Sequence, residues 1–244
     1  MFVNWKELLL KNNCWGLIEF MKKNIALILA SGTGSRSGLD IPKQFYEIAG
    51  KTLLEYSISV FKNHPLIDEI VVVSHPDYIE QTKSLVGEHL VVVGGESRQE
   101  SSYNGVFVLS CLDDDNVLIH DAVRAFITPE IISNCIEGLN KHQAVCVATD
   151  TADTVLEVDN NGKIIAVPER KKLRLAQTPQ CFKFGLIKKA HKLAKEQNIT
   201  VTDDCGLILA NNLAEIYVVE GSSRNKKITY PEDLKFAQWL VEND

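Results

Sequence analysis

Residues 25–45 read Ile25-Ala26-Leu27-Ile28-Leu29-Ala30-Ser31-Gly32-Thr33-Gly34-Ser35-Arg36-Ser37-Gly38-Leu39-Asp40-Ile41-Pro42-Lys43-Gln44-Phe45, and the fold class follows from how this stretch is built. The apolar run 25–30 has the length of a buried strand, and it opens into a loop carrying Gly32, Gly34 and Gly38. Glycine tolerates positive φ and lets backbone approach closely, so the N–H groups of such a loop can face an anion. Arg36 and Lys43 add two cations shortly afterwards. A strand, a glycine-rich turn and two cations suit a triphosphate. The spacing of the three glycines is one residue too long for the G-x-G-x-x-G dinucleotide fingerprint, and no Gly-Lys pair completes a P-loop.

Outward from this stretch, apolar runs of strand length recur at 69–74, 90–93, 116–120, 144–148 and 214–219. Helical periodicity fills the intervals at 53–61, 79–85, 99–109, 129–139, 184–194, 203–209 and 231–240. Strand–helix alternation predicts an α/β fold, a Rossmann-like and mostly parallel sheet with helices on both faces. In such sheets ligands bind beyond the carboxyl ends of the strands. The glycine loop and His120-Asp121 both fall on that edge. The rhythm breaks between Asp153 and Arg170, where two β-rich arms flank Asn160-Asn161-Gly162, a hairpin turn signal. A lone hairpin is marginal in water, so this one needs something to pack against.

The chain has 244 residues, 45% hydrophobic and 24% charged, which suits one α/β unit over 23–244 better than two small ones. The segment 1–22 stands apart as an N-terminal extension: it carries Trp5, Leu8, Leu9, Leu10, Trp15, Leu17, Ile18 and Phe20, and Met21 lies just ahead of the first strand. It lacks a small-residue cleavage site. An amphipathic arm and a start upstream of the true one are both open readings. The net charge of −6 argues against nucleic-acid or membrane-surface partners. No apolar stretch reaches the roughly 18 residues of a membrane span. Six scattered cysteines without a C-x-x-C pair suit a reducing cytoplasm.

Further motifs follow in order: Gly94-Gly95-Glu96-Ser97-Arg98 with Ser101, His120-Asp121-Ala122-Val123-Arg124, Asp153-Thr154, Arg170 with Gln177-Thr178-Pro179-Gln180, Thr202-Asp203-Asp204, and Glu220 to Leu234 around Asn225-Lys226-Lys227-Ile228-Thr229. With L-A-x-G-x-G-x-R and Pro42-Lys43-Gln44-Phe45, the array over about 220 residues resembles the methylerythritol-phosphate cytidylyltransferases and the related ribitol-phosphate cytidylyltransferases. The resemblance implies a GT-A-like nucleotidyltransferase fold and a reaction between CTP and a polyol phosphate, giving a CDP-polyol and pyrophosphate with Mg²⁺. It also implies a homodimer joined through the arm at 150–175.

Attack on the α-phosphorus of CTP builds negative charge, so the protein's task is positioning and cationic stabilisation. The resemblance puts Arg36 and Lys43 on the triphosphate and Lys227 on the α-phosphate, the three candidate catalytic cations. Nucleotide binding falls to Ala30, Ser31, Gly32, Gly34, Gly94, Gly95, Arg98 and Ser101, and the small groups at Gly94, Gly95 and Ser101 let main-chain groups read a pyrimidine. An alternative role for the 97–100 stretch is an ordinary helix start, Ser97 as N-cap with Glu100 three residues on. Both can hold. Asp121 at a strand end suits Mg²⁺ or substrate hydroxyls. The polyol-phosphate side takes Asp121, Arg124, Thr154, Arg170, Thr178 and Thr202, with Thr154 and Arg170 reaching across from a partner subunit. His120 reads as structural, because a phosphate needs no general base.

The sequence departs from the family pattern at Ser31 in place of glycine, Ser37 in place of methionine, Ala125 in place of proline and Ala152 in place of a cation. The Arg170-x-x-Leu173-x-x-Ala176-Gln177 spacing and Thr202-Asp203-Asp204 lean to methylerythritol phosphate; Ala152 and the His-Asp-Ala-Val-Arg-x-Phe-x-Thr run from His120 lean to ribitol phosphate. A catalytically silent nucleotide-binding subunit is the reading of another class, and retention of Arg36, Lys43, Asp121 and Lys227 argues against it. A NAD-binding oxidoreductase fails on its glycine spacing.

Overall fold

A computed structural model describes residues 22–33 and 41–243. The predicted extension 1–22, except Lys22, lies outside the described residues, as do Gly34, Arg36, Ser37 and Gly38. Along the chain run β1 (Asn24–Ala30), β2 (Glu47–Ile48), β3 (Lys51–Thr52), α1 (Leu53–Lys62), β4 (Glu69–Ser74), α2 (Ile79–Val86), β5 (Leu90–Val93) and α3 (Arg98–Val108). They are followed by β6 (Asn116–Asp121), α4 (Pro129–Lys141), β7 (Ala144–Asp150), β8 (Glu157–Val158), β9 (Ile164–Ala166), β10 (Arg174–Lys183), α5 (Phe184–Gln197), α6 (Asp204–Ala210), β11 (Tyr217–Glu220) and α7 (Pro231–Glu242).

Seven strands form the central sheet in the order β11-β7-β10-β6-β1-β4-β5. All neighbours pair parallel except β10, which runs antiparallel to both β6 and β7. Side chains alternate across each strand, so β1 sends Ala26, Ile28 and Ala30 to one face and Ile25, Leu27 and Leu29 to the other. The first face packs under α1 and α4 through Leu54, Phe61, Ile132 and Leu139. The second packs under α3, α5 and α6 through Val106, Ile187 and Leu207. Each large aliphatic or Phe buried this way contributes roughly 1.5–3 kcal/mol. Local signals set the helix starts. Thr52 accepts from the Glu55 N–H while the Glu55 carboxylate accepts from the Thr52 N–H, a reciprocal cap of the kind worth about 1 kcal/mol.

Two expectations need correction. The last sheet strand occupies Tyr217–Glu220 rather than 214–219, and the ten-residue β10 was not anticipated at all. Proline inside a run lacks a ladder N–H and argues against a central strand. Here the pairing of β10 with β7 shifts register between Ala176 and Gln180, and this irregularity takes up Pro179. At the arm, only Glu157–Val158 and Ile164–Ala166 pair, about a turn in which Gly162 has φ of +82°. No helix among the described residues is long and apolar enough to cross a membrane.

Candidate active site

The parallel strands β1, β5 and β6 all end on one edge, and the strand order reverses beside β1 there. A cleft of about 350 Å³ opens at that edge. Ala30, Ser31, Gly32 and Thr33 line it from the end of β1, Gly95 to Arg98 from the β5–α3 turn, Asp121 from β6 and Lys227 from the loop before α7. Lys43, Gln44 and His75 complete the wall. The lining sets three cations, Lys43, Arg98 and Lys227, against two carboxylates, Glu96 and Asp121, so the cleft carries a net positive charge in an acidic chain.

Each wall is held by bonds the sequence provides locally. Gln44 Nε2 donates to the Ala30 carbonyl at 2.6 Å and the Gly32 carbonyl at 2.9 Å, tying the short turn Lys43–Phe45 to the glycine loop. The Ser31 hydroxyl donates to Ser101 Oγ at 2.7 Å, and Ser101 Oγ accepts from the Gly95 N–H at 3.1 Å. Glycine is required at 94 because a Cβ there would stand 2.5 Å from the Ser31 Cβ and 3.0 Å from Ser101 Oγ. A Cβ at Gly95 would overlap the Glu100 side chain. Ser97 caps α3 by accepting from the Glu100 N–H at 3.0 Å. The turn is therefore both a helix start and a close backbone approach to the cleft.

Asp121 is the electrostatic centre. Arg98 Nε lies 3.2 Å from its Oδ1 and Lys227 Nζ 2.8 Å from its Oδ2. Burial acts to raise its pKa, and the charges of Arg98 and Lys227 overcome that and hold it well below the usual carboxylate range. Arg98 also reaches Asp204 from Nη1 at 2.7 Å, while its Nη2 is buried without a hydrogen-bond partner. Lys227 is presented by a strapped loop. Asn225 donates to the Thr178 carbonyl at 2.8 Å and to Gln177 Oε1 at 3.1 Å, and the Ile228 N–H donates to the Val123 carbonyl. Lys226 turns the other way, 2.6 Å from Asp233 at the start of α7.

His120 is fully buried below Asp121. The Arg124 carbonyl, 3.1 Å from His120 Nε2, can only accept, so Nε2 carries the proton of the neutral ring, Nδ1 accepts from the Thr178 hydroxyl at 3.0 Å, and Thr178 Oγ1 accepts from the Asp121 N–H at 3.0 Å. Burial pushes the His120 pKa down to about 4. The ring is a neutral strut.

Of the residues expected on the polyol-phosphate side, only Asp121 lines this cleft. The Thr178 hydroxyl is buried and committed to Asp121 and His120, so it bears on the site from beneath rather than as a free hydroxyl. Arg124 donates from Nη1 to the Asn225 carbonyl at 2.9 Å and from Nη2 to the Ala176 carbonyl at 3.3 Å. Arg170 donates to the Ala152 carbonyl of its own chain at 2.8 Å, and Thr154 and Thr202 are exposed. Residues assigned no role on sequence grounds also stand at the cleft or behind it: Gln44 and His75 line it, and Gln177, Gln180, Asp204 and Asn225 make hydrogen bonds and an ion pair behind its walls. Four of the six sit inside motifs quoted above for their neighbours, and Gln44 inside the opening stretch. Nothing in the sequence marks His75.

Among the described residues no group of three or more His, Cys, Asp or Glu side chains could hold a metal by itself. A magnesium ion that takes most of its ligands from phosphate oxygens and water needs a single carboxylate oxygen, which Asp121 would offer once Lys227 moves from Oδ2 to a phosphate.

Comparison with known proteins identifies the family. The family model described as "IspD: 2-C-methyl-D-erythritol 4-phosphate cytidylyltransferase" matches residues 24–243. The 2-C-methyl-D-erythritol 4-phosphate cytidylyltransferase of Clostridium botulinum (strain 657 / Type Ba4) is 40% identical over 228 residues, covering 91% of this chain and 99% of the relative. The bifunctional ribulose 5-phosphate reductase/CDP-ribitol pyrophosphorylase Bcs1 of Haemophilus influenzae is 39% identical over 230 residues, 91% of this chain. This chain spans about half of that longer protein, 48%. The crystal structure of 4-diphosphocytidyl-2C-methyl-D-erythritol synthase from Anaerococcus prevotii DSM 20548 superposes with a TM-score of 0.81 at 30% identity, covering 91% of this chain and 96% of that one.

Proposed function

The chain belongs to the 2-C-methyl-D-erythritol 4-phosphate cytidylyltransferase family, and from that premise we propose that it joins CTP to 2-C-methyl-D-erythritol 4-phosphate. A phosphate oxygen of the polyol phosphate attacks the α-phosphorus of CTP. The bond from that phosphorus to the β-phosphate oxygen breaks, and pyrophosphate leaves with the electron pair. The product is a CDP-polyol, and no proton has to move. The observation that carries the reading is the cleft at the ends of β1, β5 and β6, where Lys43, Arg98 and Lys227 converge beside a glycine turn too tight for any other side chain.

Lys43 serves the triphosphate and Lys227 the α-phosphate. Lys227 rests on Asp121, which holds the ammonium at the cleft mouth until phosphate oxygens compete for it. Arg36 joins Lys43 by its place in the motif. Main-chain groups around Gly94, Gly95 and Ser101 read the cytosine edge, a role supported by the absence of room for side chains there. His120 takes no proton, being buried with both ring nitrogens engaged. Magnesium, when bound with the nucleotide, would neutralise phosphate charge, with Asp121 offering one protein oxygen. We take residues 23–244 as one catalytic unit, with 1–22 an extension outside it. Two such units form a homodimer through the arm, in which Thr154 and Arg170 grip the polyol phosphate in the partner's site. The exposed apolar side chains Val158, Ile164, Ile165 and Val167 support the dimer, because an arm of this kind needs cover. A cytoplasmic setting goes with five free cysteines among the described residues.

Ribitol 5-phosphate is the second reading, favoured by the 39% identity to the CDP-ribitol pyrophosphorylase and by Ala152. The purified protein, given CTP and Mg²⁺ with each polyol phosphate in turn, should release pyrophosphate faster with the methylerythritol phosphate. Faster release with ribitol phosphate reverses the choice of polyol. Release with neither overturns the assignment.

A further inference from the structure

The second acidic partner of Arg98 belongs to a motif whose other members explain nothing about the cleft. Asp204 has no solvent exposure and sits at the start of α6, bonded to Arg98 but outside the lining of the cleft. Its two oxygens are divided. Oδ2 takes Arg98 Nη1 at 2.7 Å, and Oδ1 accepts the Ser102 hydroxyl at 2.6 Å. Because Ser102 spends its proton on Asp204, its oxygen accepts from His191 Nε2–H at 3.1 Å, and the same ring nitrogen lies 3.6 Å from Asp204 Oδ1. The main chain is fixed as well: Gln180 Oε1 accepts from the N–H groups of both Asp204 and Cys205, at 2.9 and 3.1 Å. Burying a carboxylate is costly unless it is paired and hydrogen-bonded, and this one is held from α3 and α5 while β10 holds its main chain.

We infer that Asp204 is a positioning residue for nucleotidyl transfer, acting through Arg98. A guanidinium is a rigid fork, so fixing Nη1 on Asp204 fixes where Nε points. Nε points at Asp121, and Asp121 in turn holds Lys227 at the cleft. Ser102 and His191 lock the Asp204 carboxylate, and thereby the line Asp204–Arg98–Asp121–Lys227. With Asp204 gone, Arg98 would be free to collapse onto Asp121 bidentately or to swing away, and Lys227 would lose its fixed rest. Misplacement of a reacting group by about 1 Å costs on the order of 10² in rate. The inference rests on the cytidylyl-transfer reading for its kinetic consequence but not for its geometric one.

The test is Asp204→Asn, which keeps shape and removes charge, examined alone and combined with Arg98→Met. Three results support the inference. In the crystal structure of Asp204→Asn, Arg98 departs from its single Nε contact with Asp121. The variant's kcat falls by about 10- to 100-fold, with KM for CTP within about threefold. The double variant is no slower than Arg98→Met alone, as expected when one residue acts through the other. Unchanged Arg98 geometry, or penalties that multiply in the double variant, overturns it. A purely structural Asp204 would lower Tm without a kcat loss per folded molecule. Should Asp204→Asn not fold, Ser102→Ala and His191→Gln loosen the same clamp and carry the same crystallographic and kinetic cycle. A wild-type protein inactive with both polyol phosphates overturns the cytidylyl-transfer reading alone, since the displacement of Arg98 is read without turnover.

Discussion

Lys226 and Lys227 are adjacent and chemically identical, yet their surroundings give them opposite tasks. Lys226 closes on Asp233 and lies over the Phe236 ring, so it fastens α7 to the loop. Lys227 faces Asp121 across the cleft. The motif singled out Lys227, and the tertiary partners explain why its neighbour is not interchangeable with it. Lys227→Ala should lower kcat by about 10²–10³, the usual cost of removing one contact to developing charge, with a much smaller change in KM for CTP. Near-normal turnover would remove it from the α-phosphate. At His120 the expectation concerns stability. Its folded pKa is depressed to about 4 from an ordinary 6.5, so between those values the unfolded chain binds the extra proton. Stability from this group is therefore complete above about pH 6.5, and is lost as pH falls toward 4. At pH 5 the loss is about 2 kcal/mol. Urea unfolding at pH 7 and pH 5 should show it in the wild type, and His120→Gln should remove most of that difference. An equal difference in the variant would assign the acid sensitivity elsewhere. The structural reading of His120 needed only chemistry, whereas the burial of Thr178 beneath Asp121 needed the fold, because no spacing tells which hydroxyl faces a ring.

Elements were legible to the extent that they carried their own period. The strands at 69–74 and 90–93 coincide with β4 and β5, and the predicted helices match α1 to α7 within a few residues. Those segments have regular apolar spacing and local caps such as Thr52 and Ser97. β10 failed to announce itself because Pro179 interrupts it, and its antiparallel place between β6 and β7 is decided by its neighbours. The glycine turn after β5 was legible as a close approach, but not the neighbour approached. That neighbour is Ser31, where the family pattern has glycine. Gly94→Ala would drive a methyl group into Ser31 and Ser101 and push β1's loop off α3. Overpacking of this sort costs roughly 1–3 kcal/mol. If that cost falls on nucleotide binding, KM for CTP should rise about tenfold or more, while circular dichroism stays that of the wild type. An unchanged KM would mean the nucleotide does not depend on this turn. Pairing Gly94→Ala with Ser31→Gly should restore most of the binding, since it removes the Cβ at 2.5 Å and the Oγ at 3.1 Å that the new methyl group meets and leaves only Ser101 Oγ at 3.0 Å.

At the scale of the whole molecule, the arm is the element that a single chain does not explain. Its strands pair over only a few residues, and Leu156, Val158, Ile164, Ile165 and Val167 stand exposed on it. Exposed apolar side chains grouped in this way are what the proposed dimer would cover. Arg170 at its base donates to the Ala152 carbonyl and lies outside its own chain's cleft lining. If the arm serves a two-fold partner, each active site needs Asp121 from one subunit and Arg170 from the other. Arg170→Ala should then raise KM for the polyol phosphate while leaving CTP binding largely intact, because the nucleotide's loops belong to the other chain. Complementation gives the sharper test. Homodimers of Asp121→Ala and of Arg170→Ala each lack an intact site. In a mixed dimer one site unites an intact Asp121 with an intact Arg170, and both lesions fall together in the other. Random exchange makes about half the dimers mixed, each with one working site of two, so roughly a quarter of wild-type activity should return in a symmetric isologous assembly. Activity that stays at the level of the separate variants, after exchange has been verified by mass spectrometry of the mixed dimers, would assign Arg170 to its own chain. Activity well above a quarter would mean that one of the two lesions is not disabling where it stands.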